Sequence, residues 1–143
     1  MYSCDTNILL YAFDLSCKEH SKARLYLEKM SSNEEFVICD LVLAELYVLL
    51  RNSKVVNKPL SAKNAQTYCR TLRSNPNWQV LEYTLGVMGF AWQSSSNFSQ
   101  ATQIYDYRLG LVLKRHGVQE FATRNIKDFK SIGFNKLINP IDD

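Results

Sequence analysis

No glycine-rich phosphate loop, no serine-centred nucleophile elbow and no spaced set of cysteines and histidines occurs in this chain of 143 residues. The first absence removes P-loop nucleotide chemistry, the second the α/β-hydrolase mechanism, and the third a zinc site. The four cysteines, Cys4, Cys17, Cys39 and Cys69, include no close pair. Cys4 and Cys39 fall in expected strands, so buried free thiols in a reducing cytosol fit better than a disulfide framework. No apolar run approaches the length of a membrane span, and no tripartite leader precedes the first expected strand. Charge of one sign is lacking too. The net charge of +3, from 17 Lys and Arg against 14 Asp and Glu, permits a nucleic-acid partner without requiring one. With 46% apolar and 22% charged residues, the expectation is a cytoplasmic protein of one globular domain over residues 1–143, without membrane association.

What is present reads as alternating strands and helices. Tyr2 to Cys4 is a short strand, and Ile8 to Phe13 is apolar enough to be buried. Ala23, Tyr26, Leu27 and Met30 recur at helical spacing, predicting a helix from Glu19 to Met30. Phe36 to Cys39 is continuously apolar, as suits a parallel strand covered on both faces. A helix over 41–52 follows with Asp40 as its cap, and another starts at Ser61 and runs to about Leu72. Trp78 to Leu81 supplies a third strand, and Thr84 is positioned to cap the next helix. Ser94 to Ser99 reads as the longest loop. A helix from Ser99 to His116 closes on Gly117, and Val118 to Ala122 is the last expected strand. His20 and His116 lack any ligand-like pattern. The alternation predicts an α/β fold with a doubly covered, mainly parallel sheet.

Against this frame, several acidic residues are out of place. Asp5 stands between a strand and an apolar helix with no basic neighbour in sequence. A carboxylate at the edge of a core must be hydrogen-bonded, paired or bound to a cation. Helix capping, assisted by Thr6 and Asn7, and a functional role at the strand's carboxyl end account for it equally well. Glu45 shares a helical stripe with Leu41, Val42, Val48 and Leu49, where an unpaired glutamate is unusual. Asp106 continues onto Leu109 and Leu113 and so points partly inward. Asp128 follows the last strand. Carboxylates collected in one pocket repel each other unless protons or cations intervene, and all-oxygen ligands suit Mg²⁺ or Mn²⁺.

The stretches Asp5-Thr6-Asn7-Ile8-Leu9, Leu43-Ala44-Glu45-Leu46, Asp106 with Gly117 eleven residues on, and Ala122-Thr123-Arg124-Asn125-Ile126-Lys127-Asp128-Phe129 occur in that order. As a set they resemble the motifs of the PIN-domain family, and more narrowly its VapC-type toxin ribonucleases from toxin–antitoxin pairs. The resemblance spans nearly the whole chain. It implies a three-layer α/β/α sandwich, a homodimer, an antitoxin partner, Mg²⁺ or Mn²⁺ as cofactor, and RNA as substrate. Asn125 stands where many members carry aspartate, which makes Asp128 the fourth carboxylate. Phe98 to Tyr105 replaces the small-residue approach to Asp106 common in such toxins.

The activity implied is metal-assisted hydrolysis of an RNA phosphodiester. Asp5, Glu45 and Asp106 would hold the principal ion, with Asp128 and Asn125 completing a second or outer shell. Thr6, Asn7 and Thr123 would orient carboxylates or water, and Arg124 and Lys127 would touch flanking phosphates. The rival expectation is a catalytically silent RNA-binding or adaptor protein of the same fold. A small phosphohydrolase would want a basic phosphate pocket or an aspartyl nucleophile motif, and neither is present.

Overall fold

The computed structural model describes residues 1–142. Strand β1 (Tyr2–Cys4) leads into α1 (Thr6–Phe13) and α2 (His20–Met30). Then come β2 (Val37–Cys39), α3 (Asp40–Leu50), α4 (Ala62–Arg73), β3 (Gln79–Leu81), α5 (Val87–Ser95) and α6 (Gln103–His116). Strand β4 (Glu120–Ala122), a 3₁₀ segment (Ile126–Ile132) and β5 (Lys136–Ile138) complete the described chain.

Every strand pairing is parallel. β1 pairs with β4 with Cys4 opposite Ala122, β4 with β5, and β2 with β3. A parallel bridge from Tyr2 to Phe36 and a 2.7 Å hydrogen bond from Ser3 Oγ to the Val37 carbonyl join the two parts. The spatial order is therefore β3-β2-β1-β4-β5. Helices α1 to α4 pack in one series, and α5, α6 and the 3₁₀ segment in another, giving a three-layer α/β/α sandwich with a parallel central sheet. The continuous apolar run of β2 is explained by this covering, since Val37, Ile38 and Cys39 are all buried.

Burial of large side chains anchors the layers. Phe121 of β4 lies between Phe129, at 4.8 Å, and Phe134, stacked at 5.2 Å. Trp78 packs on Phe36 and donates its indole N–H to the Met30 carbonyl at 2.8 Å, so its polar atom is satisfied where its ring is buried. Gly110 of α6 lets the 3₁₀ segment approach: a Cβ there would lie 2.6 Å from Ile132 Cγ1. Gly117, at φ 103°, ends α6 in the left-handed conformation expected of a helix-terminating glycine.

Several local expectations change. Asp40 begins α3 without capping it; its carboxylate instead pairs with Arg73 at 2.9 Å. Gly86, not Thr84, precedes α5. Ser94 and Ser95 belong to that helix, and α6 starts at Gln103 rather than Ser99. Strand β5 is not among the expected elements, because its apolar residues, Leu137 and Ile138, are too few to make a pattern and are only half-buried. The four cysteines are free, with Cys4 and Cys39 buried. Among the described residues no helix is long and apolar enough to cross a membrane.

Candidate active site

The carboxyl ends of β1 and β4 create the floor of the site. The Asp5 amide donates to the Ala122 carbonyl at 2.8 Å, and the Thr123 amide to the Ile138 carbonyl at 2.9 Å. Each residue thus continues a ladder one step past its strand, which sets the two side chains together. Asp5 Oδ1 accepts the Thr6 amide at 2.8 Å, so the residue does cap α1. Its Oδ2 accepts the Thr123 hydroxyl at 2.8 Å and the Asn7 side-chain amide at 3.4 Å. Thr123 Oγ1 also accepts the Asn125 amide at 3.0 Å, relaying Asp5 to the turn above. Asp5 thus caps α1 at the carboxyl end of β1.

Asp5 is only 7% exposed. Burial pushes its carboxyl up to about 7, against the hydrogen bonds of Thr123 and Thr6, and the charges of Asp106 and Glu45 add to the rise. Asp106, half-buried in the first turn of α6, is pushed up to about 6 by burial and then by the charges of Asp128 and Glu45. Asp5, Glu45, Asp106 and Asp128 therefore share one electrostatic neighbourhood, although their elements are distant in sequence.

Glu45 is exposed, and its Oε2 accepts the Thr6 hydroxyl at 2.9 Å. This corrects the reading that it lies along a core stripe. Helix α3 has two apolar faces: Val42, Leu43, Leu46 and Leu50 enter the core, while Leu41, Ala44 and Val48 line an open groove with Glu45. That groove, of ≈ 760 Å³, is completed by Thr102, Tyr105, Asp106, Arg108 and Asn125. It brings Glu45, Asp106 and Asn125 into one lining. Asp5 and Asp128 are outside the lining, Asp5 connecting to it through Thr6 and Glu45.

Among the described residues, no group of three or more Asp, Glu, His or Cys side chains is gathered closely enough to form a ready metal cage. The donors nevertheless fit a hard divalent cation in kind. All are oxygens, and such a cation would offset the burial and the mutual repulsion that together raise Asp5 and Asp106.

Around this centre, Asn7 Oδ1 accepts the Arg124 amide at 3.3 Å. The Arg124 guanidinium lies over the Tyr11 ring, hydrogen-bonds its hydroxyl and reaches Glu19 at 3.4 Å. Lys127 is exposed. The sequence reading missed Tyr11, Glu19, Tyr105 and Arg108. Only the positions of Tyr105 and Arg108 beside Asp106 could have drawn attention to them, and adjacency to an acidic residue is a weak signal.

Residues 2–134 match the PIN domain. The chain is 44% identical over 142 residues to Ribonuclease VapC24 of Mycobacterium tuberculosis, covering 99% of this chain and 97% of that protein. Its fold is similar to that of M. tuberculosis VapC20, a sarcin-ricin loop cleaving toxin, with a TM-score of 0.70, 17% identity and coverage of 94% and 96% of the two chains. It is also similar to a chain of a toxin–antitoxin complex from Klebsiella pneumoniae, with a TM-score of 0.62, 20% identity and 98% coverage of each chain. The chain belongs to the PIN-domain family and is homologous to the VapC-type toxin ribonucleases of toxin–antitoxin systems.

Proposed function

We propose that this protein is a divalent-metal-dependent endoribonuclease, one nuclease domain over residues 1–143, acting as the toxin of a toxin–antitoxin pair. The observation that carries the reading is the convergence of three carboxylates from distant elements: Asp5 and Glu45 meet at Thr6, and Glu45 and Asp106 line one groove. Homology to a ribonuclease across almost the whole chain supports it.

In this reading Asp5, Glu45 and Asp106 would hold Mg²⁺ or Mn²⁺, with Asp128 and Asn125 completing a second or outer shell. The bound ion supplies a Lewis acid that lowers the pKa of water and offsets charge developing at phosphorus. Thr123 and Asn7 fix the Asp5 carboxylate, and Thr6 ties Glu45 to the same helix start. Arg124 and Lys127 contact phosphates flanking the scissile bond, giving position rather than base specificity. Hydrolysis leaves a 5′-phosphate and a 3′-hydroxyl. The working form is a homodimer, restrained by a cognate antitoxin.

The direct experiment is RNA cleavage by purified protein in Mg²⁺ or Mn²⁺, with excess EDTA and Asp106→Asn as controls. Metal-dependent cleavage lost in both controls is expected; cleavage that persists unchanged in EDTA or in Asp106→Asn would overturn the assignment. The spread of the carboxylates favours one second reading, a catalytically silent RNA-binding or adaptor protein. It predicts RNA binding with no cleavage under any metal condition.

A further inference from the structure

Among the described arginines, only Arg108 has a side-chain nitrogen both buried and unpartnered. Arg73 is bound to Asp40 and Glu82, Arg24 to Glu28, and Arg124 to Tyr11 and Glu19. Arg108 lines the same groove as Glu45 and Asp106, yet among the described residues it forms no hydrogen bond or ion pair with either. Its Nε is closed off from water and has no partner. Its terminal Nη atoms are neither so enclosed nor hydrogen-bonded among the described residues, and they are the donors that a ligand in the groove can reach.

The guanidinium is held in place by Tyr105. The two residues lie three apart on α6, on neighbouring faces of one turn, and the guanidinium carbon is 5.6 Å from the ring centroid. The tyrosine is 61% exposed, so most of its surface is open to a ligand. An acidic groove repels a polyanion, and Arg108 is the cation in the lining of this one. A planar fork of N–H donors beside an open aromatic ring matches the two parts of a nucleotide. The fork binds phosphate oxygens in parallel, and the ring stacks on an unpaired base.

We propose that Tyr105 and Arg108 form a nucleotide subsite of the groove, Arg108 taking a backbone phosphate of RNA and Tyr105 stacking on an adjacent unpaired base. This rests on the nuclease reading for its substrate and extends it to a substrate form: the RNA is single-stranded where it crosses α6. Every base presents a stacking face, so the subsite selects strandedness rather than sequence.

The test measures binding of a short labelled single-stranded RNA, and of its duplex, in Mg²⁺ on an Asp5→Asn background that holds cleavage silent. Arg108→Gln is expected to weaken single-strand binding about tenfold and to reduce the salt dependence by about one phosphate contact. Tyr105→Ala is expected to weaken single-strand binding about tenfold while sparing the duplex, and Tyr105→Phe to bind as the parent does. Mn²⁺ affinity, measured separately, should be unchanged in all three subsite variants. Thermal unfolding of each variant separates a lost contact from a lost fold, and Tyr105→Ala tests the subsite independently should Arg108→Gln fail to fold.

Unaltered single-strand affinity in Arg108→Gln, equal losses on single strand and duplex in Tyr105→Ala, or absence of RNA binding by the parent would each overturn the subsite. A cleavage arm with the wild-type protein in Mn²⁺ keeps the two readings apart. Cleavage whose KM is unmoved by Arg108→Gln sinks the subsite and leaves the nuclease standing. Arg108-dependent binding without any cleavage sinks the nuclease and leaves the subsite.

Discussion

At the β1–β4 end of the site, Asp5 accepts hydrogen bonds from Thr6, Thr123 and Asn7. At the α6 end, Arg108 lines the groove with a buried, unpartnered Nε, and Asp106 is half-buried and accepts no hydrogen bond among the described residues. The floor is thus completed by folding itself: two ladders extended by one residue place Asp5 and Thr123 together whatever the groove contains. The α6 wall retains polar capacity that folding does not use. Satisfied groups hold geometry, and unsatisfied ones are where a ligand can add free energy.

The comparison breaks most visibly at Asp5. Asp5→Asn keeps the shape of the floor and removes its charge, so cleavage should fall at least about a hundredfold. Metal-free stability should move the other way. Asp5 is raised from the ordinary carboxylate value of 3.8 to about 7. Between those values the folded protein holds a proton that the unfolded chain has lost, so this group's contribution to stability falls as pH rises across the window. Above about 7 the whole penalty is present. Asp5→Asn should therefore be more stable than wild type by about 1–3 kcal/mol at pH 8, with the difference shrinking toward pH 4. Denaturant titrations at several pH values check this, and wild-type turnover or an unchanged pH slope would show that Asp5 is merely a cap.

Thr123→Val removes one hydroxyl from the satisfied end. The hydroxyl donates to Asp5 and accepts from Asn125, and the residue is 0% exposed. Loss of about 1–3 kcal/mol in stability is expected, with cleavage reduced about 10- to 100-fold. Because the Thr123 bond lowers the Asp5 pKa, the acid limb of the activity profile should move to higher pH. Thr123→Ser should restore both properties. A stability loss with the pH profile unmoved would make Thr123 a packing residue only.

The satisfied end was also the more legible in sequence. Asp5-Thr6-Asn7 announces local capping chemistry, and Thr123 follows an apolar strand, so short-range rules reach both. The parallel sheet and the helices containing Glu45 and Asp106 were legible from apolar runs and helical spacing. The orientation of Glu45 was not. Hydropathy spacing finds the apolar neighbours Leu41, Val42, Val48 and Leu49 but does not tell a groove wall from a core face: Val42 is buried, whereas Val48 is 63% exposed. Arg108 was invisible for a related reason: its significance is a missing partner, which only the packed groove reveals. Strand β5 escaped because it gains its place by pairing with β4 and not by burying a distinctive pattern.

The smallest effects are expected where the two ends meet, at Asn125 and Asp128. Asn125 lines the groove with Glu45 and Asp106, whereas Asp128 lies outside the lining and contributes the largest charge acting on Asp106. Both are on one short turn, with the Asp128 amide donating to the Asn125 carbonyl at 3.0 Å. Their roles should therefore separate by charge and position. Asp128→Asn removes a neighbouring negative charge, so the Asp106 pKa should fall, the acid limb should move to lower pH, and Mn²⁺ affinity should weaken by less than about tenfold. Asn125→Ala removes an uncharged amide that can orient water or phosphate in the groove, so it should slow cleavage within about tenfold while Mn²⁺ affinity and the acid limb stay in place. Mn²⁺ titration and pH–rate profiles of the two variants, measured side by side, distinguish these outcomes. If Asn125→Ala weakens metal binding and Asp128→Asn leaves both metal affinity and the acid limb unchanged, then the amide oxygen is the ligand and the charge of Asp128 is incidental to the site.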